Sequence, residues 1–520
     1  MSAVAAGRAA FRAKNPVTGQ LLDGEFVEAS PGEIDAAARL AERAFEPYAA
    51  LAAFRRAEFL RAIAQQILAL GDRLLERAAA ETGLPSARLE SERARTVSQA
   101  LLFAQVVEEG SWVEARIDRA LPDRKPQARP DIRRMLVPLG PVAVFGASNF
   151  PLAFSVAGGD TVSAFAAGCP VVVKAHPAHP GTSELVAAAI RTAARETRMP
   201  EGVFGMVQGP SPEVGITLVT HPSIRAVGFT GSLAAGRTLF DAAALRREPI
   251  PVYAEMGSAN PVFILPGAIA DRAEAIAKGL AASVTLGAGQ FCTNPGLLFV
   301  IDSPASSALL KETGDLLAAT PPGTMVHAGI KAAYDRDLGD VARTAGVSIG
   351  ARATGAGSHP ETEARAALLL TDARAWSDNP RLHAEIYGPA ALAVRCASRS
   401  EMLQLAQALH GHLTATIHGA GKDLAEFSEL IAILRRKVGR LIFNGYPTGV
   451  EVCHAMHHGG PYPATTDARS TSVGTAAIQR FARPVCYQDF PQSALPEELA
   501  DGNPRGIWRL VDGGLTRDAL

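Results

Sequence analysis

Two apolar runs, Val142-Ala143-Val144-Phe145 and Val171-Val172-Val173, decide the fold class of this chain. Residues 152–167 between them have a helical period, so the local order is strand, helix, strand. The alternation continues through helix 181–195, strand 203–207, helix 212–219, strand 224–229, helix 233–245 and strand 251–255. Such repeats form parallel strands with right-handed crossovers, and a continuous valine run is typical of a strand buried on both faces. The sequence therefore predicts an α/β fold with a doubly wound, Rossmann-type sheet.

The flanking regions divide the rest of the chain. Residues 32–110 have amphipathic helical periodicity, and residues 133–138, after a proline-rich break, are predicted to form an edge strand. A second α/β unit starts near Gly257 and extends to about residue 445. The prolines, glycines and threonines that follow Gly459 predict loops with little helix.

Size and composition exclude several classes of protein. A chain of 520 residues predicts two or three domains. Its formal net charge of −1 gives no electrostatic basis for binding nucleic acid, and no apolar run reaches membrane-spanning length. Five scattered cysteines without Cys-x-x-Cys spacing predict a reduced, cytoplasmic setting. The segment Met1 to Arg12 has no long apolar run and is predicted not to be a signal peptide.

The run Gly289-Gln290-Phe291-Cys292-Thr293 places a thiol between an apolar helical stretch and an apolar strand. A lone cysteine is more often a small buried apolar residue, but this one is predicted to lie exposed at a chain reversal. Glu255 lies 37 residues earlier, and Asn149 follows the strand that ends at Phe145. A thiol, a carboxylate and an amide are the groups needed to attack a carbonyl, move protons and hold an oxyanion.

Glu255 and Asn149 also have ordinary structural interpretations. Glu255 is a strand-end carboxylate, and Asn149 is suited to cap a helix that starts near Pro151. The carboxyl end of a parallel strand is nevertheless where an α/β sheet presents its active groups. Near apolar walls we expect the pKa of Glu255 to be raised, which would make it a base near neutral pH. Both interpretations of Asn149 can hold together.

These segments resemble NAD(P)-dependent aldehyde dehydrogenases from roughly Asn15 to Phe490. The resemblance is carried, in fixed order, by Phe229-Thr230-Gly231-Ser232, Glu255-Met256-Gly257, Gly289-Gln290-Phe291-Cys292 and Glu385-Ile386-Tyr387-Gly388-Pro389. Residues 145–182 and 444–454 are similar to the 2,5-dioxovalerate (alpha-ketoglutaric semialdehyde) dehydrogenase branch, which shares features with fatty aldehyde dehydrogenases. The resemblance implies a cofactor-binding domain of 1–112 and 134–256, a catalytic domain of 257–455, and an oligomerisation element and tail of 113–133 and 456–520.

The resemblance also implies roles for individual residues. Cys292 is the nucleophile, Glu255 the base that activates water, and Asn149 an oxyanion donor together with the Cys292 N–H. The residues implied in binding NADP or NAD are Lys174, Phe229, Gly231, Ser232, Gly236, Gly257, Glu385 and Tyr387. Relatives that prefer NAD often have an acid where this chain has Pro177, so we expect NADP to be used at least as well as NAD. A small-molecule aldehyde is the implied partner, and a homodimer or homotetramer the implied assembly.

Several alternatives are open at this stage. His454, His457 and His458 have spacings that suit zinc on one helix face, but the Gly-Gly-Pro that follows disfavours a helix, so no metal is predicted. Arg469 either anchors the far end of the substrate or pairs with Asp467. Other possible functions are oxidation of a fatty aldehyde, a CoA-acylating reaction, and a catalytically silent, crystallin-like binding protein.

Overall fold

Four helices in succession occupy the N-terminal part of the chain. The computed structural model describes residues 9–355 and 357–520, so the segment predicted not to be a signal peptide lies mostly outside them. The first helix starts at a capping box in which the Ser30 side chain accepts from the Glu33 N–H. The predicted helical character of residues 32–110 is confirmed by helices Pro31–Ala49, Ala53–Ala69, Gly71–Thr82 and Ser86–Glu109.

A five-stranded parallel sheet follows, as the alternating pattern predicts. Its strands lie in the order Phe204–Val207, Val171–Lys174, Val142–Phe145, Ala226–Thr230 and Val252–Glu255. All neighbouring pairs are parallel, and the valines of Val171–Lys174 are fully buried. The connecting helices are Gly159–Ala167, Pro180–Glu196, Pro212–Thr220 and Leu233–Ala244. The predicted α/β, doubly wound fold is confirmed.

The helix predicted over residues 152–167 is wrong in its first half, because the helix begins only at Gly159. The buried Glu92 carboxylate accepts from the N–H groups of Leu152 and Ala153, at 2.8 and 3.0 Å. The segment between Pro151 and Gly158 therefore forms turns around that carboxylate. Asn149 precedes turns, and the prediction that it caps a helix near Pro151 is also wrong.

The second α/β unit is a seven-stranded sheet. Its strand order is Ser348–Arg352, Ala367–Asp372, Ala390–Cys396, Leu297–Ile301, Val262–Ile264, His412–His418 and Val438–Phe443. Only the first pair is antiparallel. The rings of Phe263 and Phe299 stack at 4.7 Å in its core, beside the buried Trp376. Its helices are Pro266–Thr285, Pro304–Ala319, Ala328–Ala342, Ala373–Asp378, Arg399–Ala408, Asp423–Glu426 and Ser428–Leu434.

A smaller five-stranded sheet joins the middle of the chain to its end. It has the order Ala482–Gln488, Ile132–Pro138, Arg116–Asp118, Arg509–Val511 and Gly514–Thr516. The strand predicted to be an edge strand near residues 133–138 is therefore internal, because Ala482–Gln488 covers its outer side. Two short pairs complete the strands: Ala10–Phe11 with Phe26–Val27, and Gly323–Thr324 with Glu363–Ala364.

Short 3₁₀ turns connect several of these elements, at Ser111–Val113, Leu286–Gly289, Pro380–His383, Thr475–Phe481, Gln492–Ala494 and Glu497–Leu499. Within the described part of the chain, none of the helices combines the length and the apolar character needed to cross a membrane. The tail after Gly459 is mostly loop, as predicted, and it pairs with the end of strand Val252–Glu255. That pairing brings the C-terminal region to the residues of the site.

Candidate active site

Cys292 lies at a tight turn between helix and strand, as predicted. The turn is preceded by left-handed backbone at Gly287, Ala288 and Gly289. A Cβ at Gly289 would lie 2.2 Å from the carbonyl carbon of Gly388, so only glycine fits there. Gln290 is buried and pins the turn, since its side chain accepts from the Val326 N–H at 2.9 Å. The prediction that the Cys292 thiol is exposed is wrong, because His458 and Glu255 lie against the sulfur and leave the side chain half-buried.

Three side chains converge on one point in the site. Nε2 of His458 lies 3.4 Å from the Cys292 sulfur in hydrogen-bonding geometry and 2.9 Å from Oε1 of Glu255. The Ser472 hydroxyl donates to the other oxygen of Glu255. Glu255 and His458 are almost fully buried. The thiol, imidazole and carboxylate therefore form one contiguous cluster, with ligand atoms within 4.8 Å of one another.

The charges of this cluster set the protonation states. Burial would raise the pKa of Glu255, but the charge and hydrogen bond of His458, with hydrogen bonds from Ser472 and Cys292, hold that pKa below its usual value. The prediction of a raised pKa is therefore wrong, because the partners outweigh desolvation. Burial, and then the Glu255 charge, raise the pKa of the Cys292 thiol well above its ordinary value. At neutral pH Glu255 is ionised and Cys292 carries its proton.

The sequence did not identify a role for His458. The three histidines were considered as zinc ligands, and no metal was predicted there. In the structure the His458 N–H donates to Thr471 Oγ1 at 2.8 Å, and the His458 carbonyl accepts from the Ser472 N–H at 2.9 Å. These bonds orient the imidazole of His458 into the site. The spacing of the three histidines in the sequence does not indicate which of them lies there.

The loop after Gly459 is fixed by backbone pairing with the strand that carries Glu255. The Met256 N–H donates to the Ala464 carbonyl at 2.8 Å, and the Thr466 N–H donates to the Ala254 carbonyl at 3.1 Å. Ser472 and His458 lie on either side of this paired segment in sequence. The strand end and the loop therefore position Glu255 and its two partners together.

Asn149 reaches the same turn from beyond the end of strand Val142–Phe145, two positions from Val252–Glu255 in the sheet. Its side-chain amide donates to the Gln290 carbonyl at 3.0 Å, and its own carbonyl accepts from Arg88 at 2.6 Å. An amide has two N–H donors, so one is left after the bond to Gln290. The backbone N–H of Cys292 has no acceptor in the residues that the structure describes. The two donors predicted for an oxyanion are thus not consumed by internal bonds.

The glycine-containing loop after strand Ala226–Thr230 ends at an exposed helix N-terminus. The Ser232 side chain caps helix Leu233–Ala244 by accepting from the Ala235 N–H. The Gly231 N–H donates to the Glu255 carbonyl at 3.0 Å, which ties this loop to the catalytic strand. Side chains at Gly231 and Gly236 would meet the Phe229 ring and Met256, at 2.6 and 2.7 Å. Exposed N–H groups at a helix start suit a phosphate group.

Two further predicted cofactor residues flank the thiol. A Cβ at Gly257 would lie 2.4 Å from Oε2 of Glu385, so glycine lets that carboxylate approach the backbone. Burial raises the pKa of Glu385 to about 8. Burial is the main cause that raises the pKa of Tyr387, and negative charges on Glu385 and Cys292 would raise it further. Tyr387 therefore lies near both side chains.

Lys174 ends its strand at the opposite side of the sheet, where it has a neighbour that the sequence did not reveal. Burial lowers the pKa of Lys174 to about 8, while the charge of Glu28 opposes that change. Oε2 of Glu28 accepts from the Ser211 N–H at 2.9 Å. An acid is thus present near Lys174 even though position 177 is proline.

The structure also places Arg469 and the histidines that were considered as a substrate anchor and as metal ligands. Arg469 is 94% exposed and lies 3.6 Å from Asp467, which agrees with the surface-pair interpretation and not with a substrate anchor. Neither His454 nor His457 joins the group of possible metal ligands within the described residues. That group is the catalytic cluster itself, and a metal there would occupy the thiol. The prediction of no metal stays a prediction.

The sequence is similar to two proteins of matching length. An alpha-ketoglutaric semialdehyde dehydrogenase 2 of Azospirillum brasilense is 52% identical over 514 residues, which cover 98% of this chain and 97% of that protein. An alpha-ketoglutaric semialdehyde dehydrogenase of Acinetobacter baylyi is 47% identical over 496 residues, which cover 95% of this chain and 93% of that protein.

The fold is also found in solved structures. A glyceraldehyde-3-phosphate dehydrogenase of Methanocaldococcus jannaschii, solved in complex with NADP, superposes with a TM-score of 0.77 at 19% identity and covers 92% of this chain and 98% of that one. At that identity the likeness concerns the fold alone. Residues 4–478 match the aldehyde dehydrogenase family profile. With that match and the two long relatives, this chain belongs to the aldehyde dehydrogenase family.

Proposed function

We propose that this protein oxidises an aldehyde to a carboxylic acid through a thioester on Cys292, with NADP or NAD as the hydride acceptor. The observation that carries the proposal is the contact of the Cys292 sulfur with His458 and, through it, with the ionised Glu255. A nucleophile next to a base that is itself paired with a third group is the arrangement of covalent catalysis. Three intact functional groups in contact also disfavour a silent, crystallin-like role.

The first step removes the thiol proton. The raised pKa of Cys292 means that its sulfur needs a base at neutral pH. We propose that His458, in the tautomer that carries its proton on Nδ1, takes the thiol proton at Nε2, 3.4 Å away, and that the imidazolium so formed donates this proton in a hydrogen bond to Glu255. The thiolate adds to the aldehyde carbon, and the Asn149 amide and the Cys292 N–H hold the oxyanion.

The second half of the reaction releases the acid. We propose that Glu255 accepts a proton from the water that attacks the thioester, which returns Cys292 as thiolate. Its lowered pKa keeps the carboxylate ionised over the neutral range. A CoA-acylating enzyme has no need of a base for water, so Glu255 favours hydrolysis.

The residues of the cleft fit a nicotinamide dinucleotide. The exposed N-terminus of helix Leu233–Ala244, with Gly231 and Ser232, would hold the pyrophosphate. Glu385, half-buried against Gly257, would bind a ribose, and Tyr387 would pack on the cofactor near the thiol. Lys174 would contact the adenine ribose. When bound, the cofactor accepts the hydride that leaves the aldehyde carbon. The preference for NADP stays a prediction, and the charge of Glu28 counts against it.

The substrate that we propose is 2,5-dioxovalerate, with 2-oxoglutarate as product. The two relatives at 52% and 47% identity carry the name of that activity and match this chain over nearly its full length. A fatty aldehyde is the alternative, because it would gain about 0.8 kcal/mol per buried CH₂ in an apolar tunnel.

Comparison of two substrates tests this choice. The expected result is that kcat/KM for 2,5-dioxovalerate exceeds that for decanal by at least about tenfold, or roughly 1.4 kcal/mol, when reduced cofactor is followed by absorbance. A higher value for decanal would move the protein to the fatty-aldehyde alternative. If neither aldehyde leads to formation of reduced cofactor, the dehydrogenase proposal is wrong.

A histidine variant tests the first step. His458→Gln is expected to lower kcat/KM about tenfold to hundredfold at pH 7, because the thiol then lacks its base. The loss should shrink toward pH 9, since rising pH increases the thiolate fraction of a thiol whose pKa is raised. His457→Gln, next to it and outside the cluster, is the matched control. An equal loss at both pH values would show that His458 acts only structurally.

We also propose the assembly and setting that the sequence predicted. The domains are 1–112 with 134–256 for the cofactor, 257–455 for catalysis, and 113–133 with 456–520 for assembly and tail. The small sheet, which joins Ile132–Pro138 to Ala482–Gln488, supports an oligomerisation role because Ala482–Gln488 is an edge strand. A homodimer or homotetramer in the cytoplasm is the proposed state, and sedimentation equilibrium measures it.

A further inference from the structure

Arg88 and Arg95 lie over the rings of Phe150, Phe154 and Phe291 next to Cys292, and Arg440 is close enough to the thiol to be influenced by its charge. Arg88 donates to the Asn149 carbonyl at 2.6 Å. Arg440 donates to the carbonyls of Pro447 and Gly449, at 2.6 and 3.0 Å. Both guanidinium groups thus hold backbone that shapes the site.

Arg88 and Arg440 each leave one buried nitrogen, Nη1 and Nε, without a partner, whereas Arg95 leaves two and forms no hydrogen bond among the described residues. Arg95 lies on helix Ser86–Glu109. Its Nε and Nη2 are buried and have no hydrogen-bond partner among residues 9–355 and 357–520. The guanidinium carbon lies 5.2 Å from the centre of the Phe154 ring. Buried guanidinium nitrogens without acceptors are costly, and such a group indicates a missing anion.

Arg95 is connected to the nucleophile by a row of packed rings. Phe154 packs on Phe150 with centroids 5.3 Å apart, and Phe150 packs on Phe291 at 5.5 Å, directly before Cys292. Burial lowers the pKa of Arg95, and the thiolate form of Cys292 would oppose that change, so the sulfur lies within electrostatic reach of the guanidinium. Phe154 also belongs to an apolar cluster with Ala147, Ala153 and Val473. The row of rings thus has Arg88 over Phe150 and Phe291, and Arg95 over Phe154.

We propose that Arg95 binds the remote carboxylate of an oxo-acid substrate and so selects charged aldehydes over neutral ones. This assignment rests on the proposed oxidation of 2,5-dioxovalerate. In an extended five-carbon chain the carboxylate carbon lies roughly 5 Å from the aldehyde carbon, at about 1.25 Å per bond. The row of rings contacts the two methylene groups, and the planar guanidinium donates charge-assisted hydrogen bonds to the carboxylate.

Glu92 provides the competing interpretation. It lies one turn before Arg95, and its Oε2 is also buried without a hydrogen-bond partner in the described residues. A direct pair between the two side chains would make Arg95 part of the support for residues 152–153. A structural pair of this kind would affect all aldehydes alike and would lower thermal stability.

The test compares a charged and a neutral aldehyde in matched variants. Arg95→Met is expected to lower kcat/KM for 2,5-dioxovalerate on the order of a hundredfold, mainly through KM, and that for pentanal by less than about threefold. Arg95→Lys, which keeps the charge but not the planar fork, should recover part of the loss. Arg93→Met is the control, because Arg93 donates to the Gly71 carbonyl and lies two residues away on the same helix.

A second measurement does not depend on turnover of the acid. Glutarate should inhibit pentanal oxidation by the wild type competitively, and its inhibition constant should rise at least about tenfold in Arg95→Met. If the wild type prefers 2,5-dioxovalerate and Arg95→Met keeps that preference, the assignment of Arg95 is wrong and the substrate stands. If the wild type shows neither the preference nor inhibition by glutarate, both are wrong. An equal loss on both aldehydes with a lowered Tm would assign Arg95 to the pair with Glu92.

Discussion

Cys292→Ala is expected to abolish steady-state formation of reduced cofactor, by at least about 10⁴-fold. Alanine removes the sulfur that forms the covalent bond to the aldehyde, and no other described cysteine contacts His458 and Glu255. Cys169 and Cys396 are buried in apolar cores, and Cys486 lies on the small sheet. Absorbance of the reduced cofactor measures the loss, and rapid mixing should show no burst.

The fold and the cofactor site should remain intact in this variant. The Cys292 side chain is half-buried and the turn is held by Asn260, whose amide donates to the Cys292 carbonyl at 2.9 Å. The Tm and the affinity for cofactor should therefore match the wild type. Cys486→Ala, which removes an exposed thiol elsewhere, is the control and should keep full activity. Residual turnover above about 1% of wild type in Cys292→Ala would identify another nucleophile.

Glu255→Gln is expected to reduce kcat at pH 7 about a hundredfold to a thousandfold, because glutamine keeps the volume but cannot accept the proton of water. The thioester should accumulate, so rapid mixing should show a burst of reduced cofactor followed by slow turnover. The burst should also be slower than in the wild type, since the neutral amide no longer stabilises an imidazolium at His458, 2.9 Å away.

The hydrogen bond between position 255 and Ser472 should be retained in Glu255→Gln. Ser472 donates to Oε2 of Glu255, and glutamine can keep a hydrogen bond there, so the loop should stay in place. Glu361→Gln, an exposed carboxylate paired with Lys14, is the control for loss of one negative charge. A kcat equal to that of the wild type near neutral pH would exclude Glu255 as the hydrolytic base.

Local sequence patterns predicted the secondary structure of a segment correctly where that structure depends on the segment's own residues. The valines of 171–173 gave a correct buried strand, and the glycines before Cys292 gave a correct turn. The helix start at residue 159 was not predictable, because Glu92, some sixty positions earlier in the chain, captures the N–H groups of Leu152 and Ala153. The same limit applies to the internal position of strand Ile132–Pro138, whose outer neighbour is Ala482–Gln488.

In the site, too, local motifs were predictable and contacts between distant segments were not. Cys292, Glu255 and Asn149 were predicted as site residues because their short motifs resemble a family, and their roles stay predictions. The role of His458 was missed, since its aim depends on the pairing of residues 464–466 with 254–256. The pKa of Glu255 was predicted in the wrong direction for the same reason, because His458 and Ser472 approach it only in the folded chain. Charge balance in a buried cluster depends on contacts that sequence spacing does not reveal.

The pairing of the C-terminal loop with the end of strand Val252–Glu255 has a consequence for biosynthesis. Glu255 and Ser472 are 217 positions apart, and Cys292 and His458 are 166 apart, so the cluster closes by contacts of high sequence separation. Such contacts form late, after the ribosome has released the segment that carries them. A nascent chain would therefore carry the Cys292 thiol without His458 while the 166 positions that separate them are translated. The nucleophile becomes reactive toward cellular aldehydes only once the polypeptide is nearly complete.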